Sequence, residues 1–114
     1  MACFDMYGCD EAFRLTIPAI RIAIAKAMAA QKISQAEIAK TLGVAQPAVS
    51  KYLSGRYSDD VRAVENAIDK SQLGELVRIA MTGDIKRISK KIDEQAASKR
   101  LVEKAMALIS PNQS

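Results

Sequence analysis

Residues 32–56 read KISQAEIAKTLGVAQPAVSKYLSGR, and local signals alone place two short helices in them. Ser34 is an N-cap, and Glu37 three residues later completes a capping box, which satisfies backbone N–H groups at the helix start. Ile33 before the cap and Ile38 inside the helix have the spacing of a hydrophobic staple. Ile38, Ala39 and Leu42 form the buried face. Gly43 then ends the helix, because glycine enters the left-handed conformation without strain. After about three residues of turn, a second helix is expected near Gln46 to Leu53. Pro47 fits its first turn, where a missing N–H costs nothing. Val49, Tyr52 and Leu53 face inward by spacing, and Gly55 is the expected stop.

Before this stretch, a helix is expected from about Ile17 to Ala30, capped by Thr16 and with Pro18 in its first turn. Ile17, Ile20, Ala23, Ile24, Ala27 and Met28 make one apolar face. Arg21 and Lys26 fall off that face, and Arg14 and Arg21 are expected in solvent. After it, the tail from Ser58 reads as three more helices. Ser58, with Asp59 and Asp60, suits a positive helix start, and Val61, Val64, Ala67 and Ile68 give a short amphipathic stretch. A helix restarts at Ser71 with Leu73, Leu76, Val77, Ala80 and Met81. Gly83 and Asp84 read as a stop and a new cap, followed by Ile85, Ile88 and Ile92. The last helix carries Leu101, Val102, Ala105, Leu108 and Ile109, with Pro111 after its end. The fold class is therefore all-α, a helical bundle with a C-terminal helical extension.

Composition narrows the chemistry. The chain has 114 residues, 49% hydrophobic and 26% charged, which suits one small globular protein. It contains no histidine, so no His-based triad, general base or metal site can be built. Cys3 and Cys9 alone cannot close a four-ligand zinc site. Their role stays open, and such cysteine usage fits a reducing cytoplasm. No metal or cofactor is expected. The acidic N-terminus lacks the pattern of a signal peptide, and no apolar run is long enough to span a membrane.

Charge is unevenly spread. Residues 1–11 hold Asp5, Asp10 and Glu11 and no base, a net −3. Residues 12–58 hold Arg14, Arg21, Lys26, Lys32, Lys40, Lys51 and Arg56 against Glu37 alone, a net +6. Residues 59–114 sum to +1. A cationic segment joined to a nearly neutral tail suits a polyanionic partner, nucleic acid first and a membrane surface second.

Two short helices joined by a tight glycine-containing turn form a helix-turn-helix. The small Ala39 admits the crossing helix, Gly43 makes the turn, and Ile38, Leu42, Val44 and Val49 fill the space between. Residues 32–56 resemble the helix-turn-helix of the Cro/C1 repressor type, the XRE family. IPAIRIAIAKAMAAQ (residues 17–31) resembles helix 1 of archaeal members. The resemblance covers roughly residues 17 to 70. It implies a lambda-repressor-like bundle of four or five helices that binds double-stranded operator DNA, usually as a homodimer, with the third helix in the major groove.

By motif position, the resemblance puts Gln46, Ala48, Ser50 and Lys51 where the reading helix meets bases. Gln46 would read adenine, Lys51 a guanine or a phosphate, and Ala48 a thymine methyl. Gln35 and Arg56 would approach phosphates, with Ser54 and Tyr57 as weaker phosphate candidates. Tyr52 belongs to the core. Ala45 departs from the family, which commonly has a Thr or Ser cap there. Pro47 removes a further donor. Both changes cut polar contacts at the tip and shift readout toward DNA shape.

This divides the chain into a DNA-binding module (residues 12–58) and C-terminal helices (59–114). The apolar faces of the tail must be buried, in a dimer interface, by folding back on the first bundle, or in both ways. The expected function is a cytoplasmic, homodimeric, sequence-specific transcriptional regulator, a repressor rather than an enzyme. An antitoxin-type protein whose tail binds a partner is the alternative. A small-molecule sensor and a nonspecific nucleoid protein are further readings.

Overall fold

The computed structural model describes the backbone of residues 6–108 and the side chains of residues 14–108. Cys3, Asp5, Ile109 and Pro111 lie outside the described residues, as do the side chains of Cys9, Asp10 and Glu11. The described residues form seven helices and no strand: α1 (Met6–Ala30), α2 (Gln35–Leu42), α3 (Gln46–Ser54), α4 (Asp59–Ala67), α5 (Lys70–Met81), α6 (Ile85–Ala96) and α7 (Lys99–Leu108).

The architecture is built around α1, whose sequence explains why. Ile20 and Ile24 share one face of the helix and Ile22 points to the opposite side, yet all three are fully buried. Ala19, Ala23, Ala25 and Met28 are buried with them. A helix buried on opposite sides is a core helix, not an amphipathic surface one. The single apolar face expected for α1 is therefore corrected: Ile22 and Ala25 join the core, while Ile17 and Ala27 are only half-buried.

The start of α1 is corrected too. Pro18 lies inside the helix instead of opening it, and Thr16 is fully buried instead of capping. An interior proline costs a helix about 3 kcal/mol. Each fully buried isoleucine returns roughly 1.5–3 kcal/mol, so the three beyond Pro18 outweigh the lost bond.

The helices of the tail fold back onto α1. Helices α4, α5, α6 and α7 all pack on it, α4 also packs on α7, and α6 also packs on α2. One apolar cluster runs from Ala19 through Ile38 and Val49 to Ala105. Residues after Ser58 thus complete the core of the segment before it.

The tail contains four helices where three were expected, since the short stretch after Ser58 is a helix in its own right. Its caps show why the chain breaks where it does. Ser58 accepts from the backbone N–H of Val61 at 3.2 Å, with Asp59 and Asp60 in the first turn. Helix α5 starts from Asp69, not Ser71: the Asp69 carboxylate accepts from the Ser71 backbone N–H and hydroxyl, both at 3.0 Å. Those two bonds, with the Arg100 guanidinium nearby, hold Asp69 below the ordinary carboxylate range. Asp84 caps α6 through the Arg87 N–H at 3.1 Å, after Gly83 in the left-handed region. Ser98 caps α7 through the Leu101 N–H at 3.2 Å, a cap the sequence reading had passed over.

Candidate nucleic-acid interface

The α2–turn–α3 unit is specified by its ends. The Ser34 hydroxyl accepts from the Glu37 backbone N–H at 3.2 Å. Gly43 adopts φ 70, its N–H reaches the Lys40 carbonyl at 3.3 Å, and the Val44 N–H reaches Ala39 at 3.0 Å. Those two bonds are a Schellman closure, and they turn the chain within two residues. The same pair recurs at Gly55, φ 78, with the Arg56 N–H on Lys51 at 2.9 Å and the Gly55 N–H on Tyr52 at 3.4 Å. Ala45 opens α3 without a side-chain cap bond, as its methyl requires.

Val49 is the one fully buried residue of α3, and with half-buried Tyr52 and Leu53 it anchors the helix to the core. Opposite this anchor, Pro47, Ser50, Lys51 and Ser54 are exposed and share one stripe at three- and four-residue spacing. Gln46 is exposed at the N-terminal tip. Ala48 is half-buried and sits at the flank of the stripe. Pro47, read from sequence only as a lost donor, therefore stands in the middle of the outward face. The Ser54 hydroxyl donates to the Lys51 carbonyl at 3.3 Å, which leaves its oxygen lone pairs available. Gln35 is half-buried at the start of α2, and Arg56 is exposed just past α3. The outward stripe carries a lone cation and no acid.

This geometry agrees with a comparison to protein families: residues 24–71 match the family described as helix-turn-helix. The segment is a DNA-binding helix-turn-helix domain of the Cro/C1 type. Comparison with curated proteins and with solved structures returns no match. The matched segment begins within α1 and ends at the start of α5, so α6 and α7 lie outside it.

Behind the helix-turn-helix, a polar cluster ties the end of α3 to α1 and α4. The Tyr57 hydroxyl accepts from Lys26 Nζ at 2.6 Å and donates to Glu65 Oε1 at 2.7 Å. Lys26 Nζ also meets Glu65 Oε2 at 2.9 Å, closing a triangle. The Arg62 guanidinium lies 4.7 Å from the Tyr57 ring centre and donates to the Gly55 carbonyl at 3.1 Å. The same carbonyl accepts from the Tyr57 backbone N–H at 3.0 Å, so the Arg62 cation adds a second bond at the C-terminal end of α3, where the helix dipole favours positive charge.

Tyr57 thus has both hydrogen-bonding directions of its hydroxyl occupied inside the fold, and a phosphate would have to displace one of them. The Tyr57 hydrogen bond, reinforced by Glu65 against the cost of burial, raises Lys26 above the ordinary lysine range.

Lys26, Arg62 and Glu65 escaped the sequence reading. Lys26 lies 31 residues before Tyr57, so no local spacing announces the pair. Arg21, expected in solvent, is half-buried, with its Nε shielded from water and without a hydrogen-bond partner. Among the described residues no group of acidic or cysteine side chains has metal-binding geometry, and no helix is long and apolar enough to cross a membrane.

Proposed function

We propose that the protein is a transcriptional repressor that reads operator DNA as a homodimer in the cytoplasm, with α3 in the major groove. The observation that carries this reading is the outward stripe of α3, held against the core by Val49 and free of acidic side chains. Small side chains at Ser50 and Ser54 allow close approach of the helix to base edges. In this reading Gln46, Ser50 and Lys51 contact bases, and Pro47 with Ala48 offers apolar surface to thymine methyl groups. Gln35, Ser54 and Arg56 take phosphates. Tyr57 supports α3 from behind.

The test is a fluorescence-anisotropy titration against duplex from the protein's own upstream region and against scrambled duplex, at two salt concentrations. Tighter binding to the native duplex, weakening steeply with salt, is the expected result. Lys51→Ala should weaken binding by about 1–3 kcal/mol if Lys51 reads a base, with relaxed preference at one position. An unchanged titration would remove Lys51 from the interface.

The dimer reading rests on an open, mainly apolar groove between α1 and α5, lined by Leu73, Val77 and Met81 together with the polar Gln31, Lys70 and Arg78. Met81 is 41% exposed there, a large apolar side chain left in water. Gly74 sits mid-helix with nothing within 4 Å of where a Cβ would stand, so packing within this chain does not demand it. A second copy reading the next major groove, about 34 Å along the duplex, would supply the contacts that one helix lacks. Met81→Lys should shift the protein to monomer in sedimentation velocity and lower its affinity for DNA. A wild-type protein that sediments as a monomer at micromolar concentration would rule the homodimer out.

A further inference from the structure

Helix α6 reads IKRISKKIDEQA and is more cationic than the tail around it. Ile88, Ile92 and Ala96 are buried in the core. Its first two turns hold Lys86, Arg87, Lys90 and Lys91 and no acid. Lys91 pairs with Glu94 at 3.6 Å and turns with it toward Gln72 of α5. Lys86, Arg87 and Lys90 are exposed, and none has an ion-pair partner among the described residues. Cations stabilise the C-terminal end of a helix, whereas Lys86 and Arg87 sit in the first turn, the end that the backbone already makes positive. The stability of α6 gives no reason for that placement.

The packing supplies one. Helices α1, α2 and α6 touch pairwise. The outward faces of α2 and α6 are therefore neighbours on one side of the bundle. Lys40 is exposed on α2, the helix of the helix-turn-helix that packs against α6, and Glu37 is the one acid on that helix. We propose that α6 is a second DNA-contacting element, whose Lys86, Arg87 and Lys90 bind the sugar–phosphate backbone flanking the segment read by α3. The inference rests on the DNA-binding reading above and adds a site outside the matched family segment. A membrane surface fits less well, because an interfacial helix must offer its apolar face to lipid. Here Ile88 and Ile92 are 0% and 3% exposed, inside the protein. Phosphate contacts fix register without reading sequence, so α6 would act equally on native and scrambled DNA.

The experiment compares wild type with the triple variant Lys86→Gln/Arg87→Gln/Lys90→Gln on a mixed-sequence duplex of about 30 base pairs, roughly three helical turns. A control variant, Lys99→Gln/Arg100→Gln/Lys104→Gln, removes equal charge from α7, away from the α1–α5 groove. Circular dichroism confirms that each variant is folded. The α6 variant should bind at least about tenfold more weakly at about 0.1 M salt. The slope of log affinity against log salt should shrink by about 0.9 for each lost phosphate contact. The control variant should keep the wild-type slope.

Equal losses in both variants would reduce the effect to net charge and overturn the proposal. So would an α6 variant that binds like wild type while Lys51→Ala is impaired, an outcome that leaves the helix-turn-helix reading intact. A wild-type protein that binds neither native nor mixed duplex would overturn both.

Discussion

Ile38→Ala is expected to lower the free energy of unfolding by about 2–5 kcal/mol, a large share of the stability of a domain this size. Ile38 is fully buried on α2, in the same cluster as residues of α1 and of the tail. Truncation removes three carbons and leaves a cavity that neighbouring side chains refill only in part. Because the cluster is shared, the loss should be felt by the whole chain. Urea unfolding followed by far-ultraviolet circular dichroism reports on all the helices. Tyrosine fluorescence draws two of its three reporters, Tyr52 and Tyr57, from the end of α3 and the residues just after it. Both transitions should move together to lower urea. A tyrosine signal that shifts while much of the helical signal unfolds at the wild-type midpoint would show two independent cores and contradict this account.

Glu65→Ala is expected to destabilise the fold by about 1–2 kcal/mol and to weaken DNA binding, although Glu65 is assigned no DNA contact. The carboxylate is 10% exposed and receives both the Tyr57 hydroxyl and the Lys26 ammonium. Lys26 is 41% exposed, so water re-solvates it and discounts the ion pair. Most of the cost falls on the Tyr57 hydroxyl, left without its acceptor. A double-mutant cycle with Tyr57→Phe should show coupling, and additive losses would break the proposed link.

The Lys26 contribution has a defined pH dependence. Its folded pKa is raised, chiefly by Tyr57, so the stabilisation is full below the ordinary lysine value of about 10.4 and is withdrawn as pH rises through the folded value. The stability difference between wild type and Lys26→Met should therefore be constant through neutral pH and narrow only in strong alkali. A difference that narrowed near pH 7 would assign the effect to another group.

The helix-turn-helix was legible because its specification is local. Ser34, Gly43 and Gly55 each act within one turn of chain, and the structure puts the cap and both stops at those residues, although only the Ser34 half of the expected capping box is formed. The boundary of α1 was not legible in the same way. Pro18 at a helix start and Pro18 inside a helix look alike in sequence, and the decision comes from burial by segments up to 80 residues away. The charge of the tail was read as a sum, and +1 concealed that four bases gather on the first two turns of α6 while the acids follow them or sit elsewhere. The Tyr57 cluster needs three separate elements brought together, which spacing cannot show. Local chemistry thus exposed α2 and α3, while the cluster behind them and the charge on α6 depend on tertiary packing.

The enclosure of α1 has a consequence for how the protein is made. Its cover arrives last: α4, α5, α6 and α7 follow the helix-turn-helix in the chain and close over residues near the beginning. During synthesis, which proceeds from the N-terminus, α1, α2 and α3 leave the ribosome with Ile20, Ile22 and Ile24 still uncovered. Contacts between residues so far apart in sequence slow folding. The nascent chain therefore carries α3 before it has α4, whose Arg62 and Glu65 complete the polar cluster behind that helix. A fragment released by a ribosome that stalls before the tail is therefore expected to leave these isoleucines without the cover of α4 to α7 and to aggregate.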